Sequence, residues 1–333
     1  MTDVTQTPVL ELRDLRTWYP IRSGVLRRVT GQVKAVDGVD LAIMPGETLA
    51  LVGESGCGKT TVGRSVLRLT DVTGGSIRFD GSELTTLSNA DFHAYRQKMQ
   101  IVMQDPGSAL DPRFTVRDAI AEGMEAFGIG ANHDERTERV AGLMRKVSLD
   151  PEAMWRYPHE FSGGQRQRIC IARALAVDPA LLICDEATSA LDVSIQAQIL
   201  NLLSDLKRDR KLTYLFITHD LGVVRYFADR VAVMYLGRIV ETRPAERIFS
   251  EPRHPYTKAL LASVPSLDPA QRRMRPGALG DVPSPENPPP GWHYHPRCTV
   301  RLPECSQEDP PVIHFTDGMC RCVLARQPQA VGA

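Results

Sequence analysis

One segment of eight residues constrains the fold of this chain more than any other. Residues 53–60 read G-E-S-G-C-G-K-T, directly after a short apolar run and directly before an amphipathic helical pattern. Glycines allow such a turn to wrap around phosphate oxygens, and the positive end of the following helix completes an anion site. The pattern therefore predicts a phosphate-binding loop between a strand and a helix. The residues expected to bind there are Gly53, Glu54, Ser55, Gly56, Cys57, Gly58, Lys59, Thr60 and Thr61.

Two side chains of this loop carry chemistry that a bound nucleotide requires. We expect the Lys59 ammonium to reach the β- and γ-phosphates and the Thr60 hydroxyl to coordinate Mg²⁺. Cys57 occupies a variable position of the pattern. We interpret it as a small side chain rather than as a nucleophile.

Strand-like and helical segments alternate through most of the chain. Residues 48–52, 180–184 and 213–218 are nearly continuous apolar runs, which are typical of central parallel strands covered on both faces. Strand-then-helix alternation predicts an α/β core with right-handed crossovers. The predicted strands are Val9–Leu12, Val39–Ile43, Thr48–Val52, Ser76–Phe79, Gln100–Met103, Ala180–Cys184, Thr213–Thr218 and Arg230–Tyr235. The predicted helices are Lys59–Leu69, Gly163–Val177, Ile195–Arg208 and Leu221–Phe227.

Two regions depart from this alternation. Residues 89–160 are mostly helical, which predicts an inserted helical subdomain that extends to about residue 177 with the next helix. After Pro276 the chain becomes rich in proline, since ten of its 24 prolines lie between Pro276 and Pro311. We expect regular structure to become sparse there.

A second motif places two carboxylates at the end of a buried strand. The segment L-L-I-C-D-E ends in Asp185 and Glu186. Beside a phosphate loop, Asp185 is expected to hold Mg²⁺ directly or through water. Glu186 is then placed to orient or deprotonate an attacking water molecule, which makes it the predicted catalytic base.

A third motif lies between these two in the sequence. Ser162 is predicted to cap a helix, and Gly163 and Gly164 leave the N–H groups of its first turn open. With Gln165, these residues form a second helix N-terminus suited to an anion.

In this order and spacing, the three motifs make the chain resemble the ATPase subunits of ABC transporters over essentially its whole length. The resemblance implies a RecA-like parallel-sheet core, an antiparallel β subdomain and the inserted helical subdomain, followed by a C-terminal extension rich in proline and cysteine. It also implies that ATP and Mg²⁺ bind at a dimer interface, between the loop of one subunit and the Ser162–Gly164 helix of the other.

The same resemblance assigns roles to residues outside the three motifs. Gln104 matches the glutamine that contacts Mg²⁺ or water and signals to the permease. His219 matches the histidine that contacts the γ-phosphate. Tyr19 matches the aromatic residue that stacks on adenine, although Trp18 could compete for that role. The segment Ser189–Asp192 matches a loop that communicates across the dimer.

A narrower resemblance points to the oligopeptide/dipeptide importer subfamily. This resemblance lies in the segments 157–161, 191–198 and 254–261 and in the proline-rich tail at 283–298. The implied organisation is an ATPase domain over 1–265 and a subfamily-type extension over 266–333. Two positions depart from the subfamily pattern: Ala187 stands where a proline is usual, and Trp292 stands where the tail usually has its first cysteine.

The subfamily implies a set of partners. We expect a second ABC ATPase subunit (a related but different one), two transmembrane permease subunits, and a periplasmic or extracellular solute-binding protein. The imported solute could be a peptide, and nickel, glutathione and sugar conjugates are alternatives. A catalytically silent partner is disfavoured by the intact Lys59, Glu186 and His219.

Charge and hydropathy bear on the other classes of function. Forty basic residues balance forty acidic ones, so no basic excess indicates binding to nucleic acid. A non-transport ABC ATPase that acts on DNA or ribosomes is the alternative, but such proteins typically carry two cassettes or a long coiled coil. Neither a secretory signal nor an apolar run of ~20 residues is evident. We therefore expect a peripheral protein on the cytoplasmic face of the bacterial inner membrane.

Four of the seven cysteines crowd into the tail. In a reducing compartment, such a cluster favours metal ligands or free thiols over disulfides. The resemblance predicts a [4Fe–4S] cluster in which Cys320 replaces the ligand that is missing at Trp292. A zinc site that uses His293 or His295, and a tail without metal, are the alternatives. The predicted cluster ligands are Cys298, Cys305, Cys320 and Cys322.

Overall fold

The computed structural model describes residues 7–24, 28–189, 191–263 and 280–326. These residues form two compact units. The carboxylate unit, named for Asp185 and Glu186, comprises the described parts of residues 1–10, 43–47 and 78–217. The loop unit, named for the phosphate loop, comprises the described parts of residues 11–42, 48–77 and 218–333. The domain boundary predicted at residue 265 lies outside the described residues and stays a prediction.

The described residues contain both sheet and helix throughout. The strands are β1 (Leu10–Ser23), β2 (Arg28–Ile43), β3 (Thr48–Val52), β4 (Gly74–Phe79), β5 (Ser82–Glu83), β6 (Met99–Val102), β7 (Leu181–Asp185), β8 (Thr213–Thr218), β9 (Arg230–Tyr235), β10 (Arg238–Pro244), β11 (Val312–Phe315) and β12 (Gly318–Arg321). The α-helices are α1 (Lys59–Val66), α2 (Asn89–Lys98), α3 (Pro106–Ala109), α4 (Val116–Ala126), α5 (His133–Lys146), α6 (Gly163–Leu175), α7 (Val193–Arg210), α8 (Leu221–Phe227), α9 (Ala245–Ser250) and α10 (Pro255–Ala262).

Parallel strands form the centre of the carboxylate unit. They lie in the order β6-β7-β8, and every residue of β7 and β8 is buried. This is the burial predicted for apolar runs covered on both faces. Helices α4, α5 and α6 pack on one another, and the Thr115 and Asn132 side chains cap α4 and α5. The register brings Asp185, the last residue of β7, opposite Ile217.

The loop unit holds a second run of strands in the order β3-β9-β10-β12-β11. β3 and β9 are parallel, and the remaining pairs are antiparallel. The long strands β1 and β2 form an antiparallel sheet with β4, in the order β2-β1-β4. The phosphate loop follows β3, which is buried along its whole length and therefore fixes where the loop starts.

The described part of the C-terminal tail packs into the core of the loop unit. Trp292, Tyr294 and Cys305 join one hydrophobic cluster with Val231 and Tyr235. Strand β12 extends the sheet by pairing with β10. Regular structure here exceeds the prediction, since a β-hairpin and three short 3₁₀ helices lie within residues 295–326.

Other differences from the predicted elements have clear physical reasons. β1 and β2 run far beyond the predicted Val9–Leu12 and Val39–Ile43, because they lie side by side in one antiparallel sheet. The predicted strand Gln100–Met103 is present as β6, shifted by one residue, and it interrupts the mostly helical span because it pairs with β7. Strand β10 is not among the predicted strands, since its buried residues include the charged Glu241 and Arg243. The predicted α/β class, with both parallel and antiparallel sheets, is confirmed.

Among the described residues, no helix has the length and apolar character that a membrane crossing demands.

Candidate functional site: the phosphate loop and the carboxylate cluster

The phosphate loop turns at Gly58, the residue that caps helix α1. Its φ of 108° lies in the left-handed region that side chains rarely adopt. A Cβ atom at this position would lie 2.0 Å from the Ala35 carbonyl oxygen. Glycine is therefore required at position 58 on grounds of both conformation and space.

Lys59 is nearly enclosed by the loop that precedes it. Its Nζ donates to the carbonyl oxygens of Gly53, at 2.9 Å, and Glu54, at 3.0 Å. The side chain is only 4% exposed, so its position is fixed by packing as well as by hydrogen bonds. Thr60 and Thr61 follow in the first turn of α1 and are half-buried, whereas Ser55 and Gly56 are exposed.

Cys57 packs inside the loop. Burial raises the pKa of its thiol, which keeps the sulfur protonated and unreactive near neutral pH. This position supports the interpretation of Cys57 as a small packing residue.

Glu54 connects the loop to C-terminal residues that the sequence analysis did not single out. Its backbone N–H donates to the Tyr256 hydroxyl at 2.9 Å. Its carboxylate accepts two hydrogen bonds from the Arg297 guanidinium, at 2.6 and 2.9 Å. The partners are about two hundred positions away in the chain or more, so no local sequence pattern could have indicated them.

Tyr19 and Trp18 are neighbours on β1 and point to opposite sides of the strand. The Trp18 ring is covered by the Lys34 ammonium, 4.8 Å from its centre, while the Tyr19 side chain is exposed. Of the two candidates for adenine stacking, Tyr19 is thus the more accessible. His219 is also exposed, directly after Thr218.

In the carboxylate unit, the structure brings Gln104 and Glu186 together. The Gln104 amide donates to the Glu186 carboxylate at 3.0 Å, and it lies 3.5 Å from the Ser189 hydroxyl. Ser189 in turn donates to the Glu186 carbonyl at 2.9 Å. Gln104 therefore joins Glu186 and Ser189, more than eighty residues further along the chain, in one hydrogen-bonded cluster.

The backbone around Glu186 has an unusual conformation. Asp185 is buried at the end of β7, whereas Glu186 adopts a φ of 49°, in the left-handed region. Such a conformation costs about 1 kcal/mol or more for a residue with a side chain. The Glu186 N–H is held by the Ile217 carbonyl at 2.9 Å.

The predicted cap of α6 is present. The Ser162 hydroxyl accepts from the Gln165 N–H at 3.3 Å, and the Gln165 side chain accepts from the Ser162 N–H at 3.0 Å. Gln165 thus completes a capping box, and its side-chain oxygen is engaged there rather than with a ligand.

The two glycines of this motif differ in their surroundings. A Cβ atom at Gly164 would lie 2.5 Å from the Ile195 side chain, so glycine here permits close packing of α6 against α7. At Gly163, by contrast, a Cβ atom would meet no described atom within 4 Å. Of the segment Ser189–Asp192, Ala190 lies outside the described residues, and the Asp192 carboxylate caps α7 by accepting from the Ile195 N–H at 3.0 Å.

A groove of about 690 Å³ opens in the carboxylate unit between α4 and the segment after Gln104. Its lining includes Asp111, Arg113, Phe114 and Glu122. The Phe114 ring is 40% exposed, so this groove combines charged groups with an accessible apolar surface.

Three tail thiols share a very small cavity in the loop unit. Cys298, Cys305 and Cys322 line it together with Trp292 and His295. Its volume is about 10 Å³, which is about the room that one water molecule needs. The Trp292 indole fills the adjacent space and is only 4% exposed.

The predicted fourth ligand lies elsewhere. Cys320 is on β12, opposite Glu241 on one side and Ile313 on the other. Among the described residues, no three His, Cys, Asp or Glu side chains are grouped so that they could hold a metal ion. The donor set and the space therefore do not fit a [4Fe–4S] cluster or the zinc alternative. Burial raises the pKa of the Cys298, Cys320 and Cys322 thiols, which favours protonated, structural cysteines.

Comparison with known families assigns the two parts of the chain. Residues 36–189 match the ABC transporter family, and residues 240–305 match the oligopeptide/dipeptide transporter C-terminal region. The described structure resembles a dimeric ATP-binding cassette in a post-hydrolysis state bound to ADP and Pi. The TM-score is 0.62 and the identity 26%, over 71% of this chain and 98% of the other. The fold and the site thus define an ABC ATPase.

Curated relatives narrow this class further. A probable peptide ABC transporter ATP-binding protein of Sinorhizobium fredii is 47% identical, over 97% of this chain and 91% of the relative. The oligopeptide transport ATP-binding protein AppF of Bacillus subtilis is 49% identical, over 93% of this chain and 95% of AppF. The glutathione import ATP-binding protein GsiA of Escherichia coli is 53% identical over 84% of this chain, which spans 45% of GsiA. The chain belongs to the ATP-binding subunits of ABC transporters.

Proposed function

We propose that this chain hydrolyses ATP to power the import of peptides or related small solutes through a membrane permease. The Gln104–Glu186 hydrogen bond carries the proposal, because it places the candidate base beside the glutamine that the family uses for signalling to the permease. The Sinorhizobium fredii and Bacillus subtilis relatives, named for peptide and oligopeptide transport, support peptides as the solute.

The proposed mechanism assigns one task to each side chain. Glu186 accepts a proton from the water molecule that attacks the γ-phosphorus, and Gln104 and Ser189 hold its carboxylate and backbone in place. Lys59 and the backbone N–H groups of the loop bind the phosphates, while His219 contacts the γ-phosphate and Tyr19 stacks on adenine.

Oxygen donors suitable for Mg²⁺ are present in both units. The loop unit offers the Thr60 hydroxyl, and the carboxylate unit offers the Asp185 carboxylate and the Gln104 amide oxygen. Such oxygen ligands are the ones that Mg²⁺ prefers. When bound, Mg²⁺ neutralises the charge that develops on the phosphate oxygens.

The proposal requires two ATPase subunits. Each Ser162–Gly164 helix N-terminus would bind the nucleotide that is held by the loop of the partner, because open N–H groups at a helix start attract phosphate. A related but different ATPase is the partner that we propose. The dimeric cassette among the structural neighbours supports the pairing of two ATPase subunits.

The groove beside α4 is the proposed permease contact. Two permease subunits would hold the ATPase pair at the cytoplasmic face of the membrane, and a solute-binding protein would deliver the substrate from outside. The exposed Phe114 and the charged groups of the groove would suit a short amphipathic segment of the permease.

Glutathione is the second candidate solute. It is favoured by the 53% identity to GsiA, a glutathione import protein. Nickel and sugar conjugates are further candidate solutes, and only the resemblance to the subfamily supports them. Uptake of labelled tripeptide, glutathione and nickel into vesicles that contain the cognate permease would separate these candidates.

Substitution of Glu186 by glutamine tests the catalytic proposal. Gln keeps the shape and most hydrogen bonds of the side chain but cannot accept the proton, so turnover should fall by on the order of a hundredfold or more. ATP binding should persist and an ATP-bound dimer should accumulate. Phosphate release and light scattering measure the two effects.

Lys59→Ala is the matched control, because it should lose ATP binding as well as turnover. Near-normal hydrolysis by Glu186→Gln would contradict the assignment of the base.

A further inference from the structure

Helix α10 and the C-terminal tail both contact the phosphate loop at Glu54. One group from each converges there. The Tyr256 hydroxyl, from α10, accepts the Glu54 N–H, and the Arg297 guanidinium binds the Glu54 carboxylate through two hydrogen bonds. Backbone and side chain of one loop residue are thus both held from outside the loop.

Arg297 is also fixed by contacts other than the one with Glu54. The residue ends a 3₁₀ helix, His295–Arg297, and its side chain is only 7% exposed. Its guanidinium lies over the Tyr235 ring, 5.8 Å from the ring centre. A buried, forked donor of this kind binds a carboxylate in one geometry and is not easily replaced by lysine.

Aromatic packing makes this support rigid. The rings of Tyr235, Tyr256 and Tyr294 lie against one another, with centres 4.7 to 5.3 Å apart. Tyr294 precedes the 3₁₀ helix of Arg297, and Tyr235 ends β9. The sheet, helix α10 and the tail therefore position the two groups that hold Glu54 as one packed cluster.

The negative charge of Glu54 opposes nucleotide binding unless Arg297 neutralises it. A carboxylate in the second position of an anion-binding loop repels the phosphates of a nucleotide. An unpaired carboxylate within about 8 Å of a phosphate would weaken binding by about tenfold. A bidentate arginine offsets that charge and directs the carboxylate toward the tail.

We propose that Arg297 is a positioning residue for nucleotide binding, which neutralises and holds Glu54 so that the phosphate loop presents its N–H groups without an opposing negative charge. The tail is then part of the nucleotide site, although Arg297 acts through Glu54 rather than on the nucleotide. This inference rests on the proposed binding of ATP by the loop.

Affinity for a fluorescent ATP analogue, measured with the full purified chain, tests the proposal. Arg297→Gln should weaken binding about tenfold, and Arg297→Lys, which keeps the charge but loses the fork, should weaken it about threefold. The double variant Glu54→Gln/Arg297→Gln should regain most of the affinity, because the opposing charge is gone. High salt should reduce the defect of Arg297→Gln, since it screens the repulsion.

Single substitution of Glu54 keeps the test decisive if Arg297→Gln fails to fold. Glu54→Gln leaves the cation in place and should tighten ATP binding about threefold. A structural clamp without an electrostatic role predicts the opposite, namely weaker binding in Glu54→Gln and no recovery in the double variant. Either of those results would overturn the proposal.

Two controls separate this inference from the proposed function. Arg247→Gln removes an exposed arginine of α9 that pairs with Glu251, and it should leave ATP affinity unchanged. Lys59→Ala should abolish binding. If the wild-type chain binds no ATP, the proposed function fails; if it binds ATP but Arg297→Gln binds equally well, only the role of Arg297 fails.

Discussion

The phosphate loop and the thiol cavity lie in the same unit but differ in what determines their capacity to bind. The loop is shaped by its own backbone, with Gly58 at a position where a side chain has no room. The thiol cavity is shaped by its neighbours, above all by Trp292, and has a volume of only about 10 Å³. The geometry of a contiguous motif is determined by its own backbone. The distances between ligands that are scattered along the sequence depend instead on the side chains that pack between them.

The first prediction has the largest expected effect. It concerns the N-terminus of α6, which, like the phosphate loop, is a contiguous motif with a geometry of its own. Gly163→Asp places a carboxylate at a helix start that we propose binds the partner's nucleotide. ATP turnover should fall by on the order of a hundredfold. The melting temperature should change little, because a Cβ atom at Gly163 meets open space. Phosphate release and calorimetry measure the two quantities.

Two controls frame that experiment. Gly142→Asp introduces the same group on α5, also into open space, and should leave turnover unchanged. Where two copies of this chain pair in vitro, a mixed dimer of one Gly163→Asp chain and one Lys59→Ala chain retains at most one competent composite site. Full activity of Gly163→Asp as a dilute monomer would show that the helix serves its own loop or none.

The second prediction changes Trp292, which lines the thiol cavity. Trp292→Cys removes the indole and supplies a fourth thiol beside Cys298, Cys305 and Cys322. After anaerobic reconstitution with iron and sulfide, this variant should acquire a visible absorption band and stoichiometric iron, whereas the wild-type chain should acquire neither. Iron analysis and the absorption spectrum decide the outcome.

Trp292→Ala is the matched control, because it opens the cavity without adding a ligand. Stoichiometric iron in the wild-type chain would contradict this prediction and would show that the tail cysteines bind metal. Loss of folding in both variants would be detected by calorimetry before reconstitution.

The third and smallest prediction concerns His254, which also lines the thiol cavity. Burial lowers the pKa of His254 to about 3, and its Nδ1 accepts the Tyr256 N–H at 3.0 Å. Because the pKa in the unfolded chain is higher, near 6.5, stability is lost as the pH falls from that value toward 3. Between about pH 6.5 and about pH 5 the loss amounts to about 2 kcal/mol.

Replacement of His254 by glutamine should remove this part of the acid sensitivity. The melting temperature of the variant should fall by about 4 °C less than that of the wild type between about pH 7.5 and about pH 5. His133→Gln, at a largely exposed histidine, is the control and should reproduce the wild-type difference. Parallel curves for wild type and His254→Gln would contradict the assigned cause.

Apolar continuity made part of the fold predictable. Strands β3 and β8 and helix α8 have the predicted bounds, because buried strands and an amphipathic helix leave clear patterns in the sequence. Strand β10 left no such pattern. Its Glu241 is fully buried and accepts the N–H groups of Arg253 and His254, so charged residues stand where an apolar run is expected.

The features of the site also divide into those that the sequence predicts and those that it does not. The loop and the Ser162 cap of α6 were predictable because their geometry is local. The cluster of Gln104, Glu186 and Ser189 was accessible through resemblance to a family. The contact between Arg297 and Glu54 was not accessible, since it joins two positions through tertiary packing alone.

The pairing of β12 with β10 has a further consequence for the behaviour of the protein in solution. An outer strand with unpaired N–H and C=O groups is a template for other chains. β12 occupies that side of β10, and Trp292 and Tyr294 cover apolar surface nearby. A chain shortened to end at Ser263 would expose the edge of β10 and the apolar surface near it. Such a chain should precipitate through edge-to-edge association. The tail would then also protect this ATPase from aggregation.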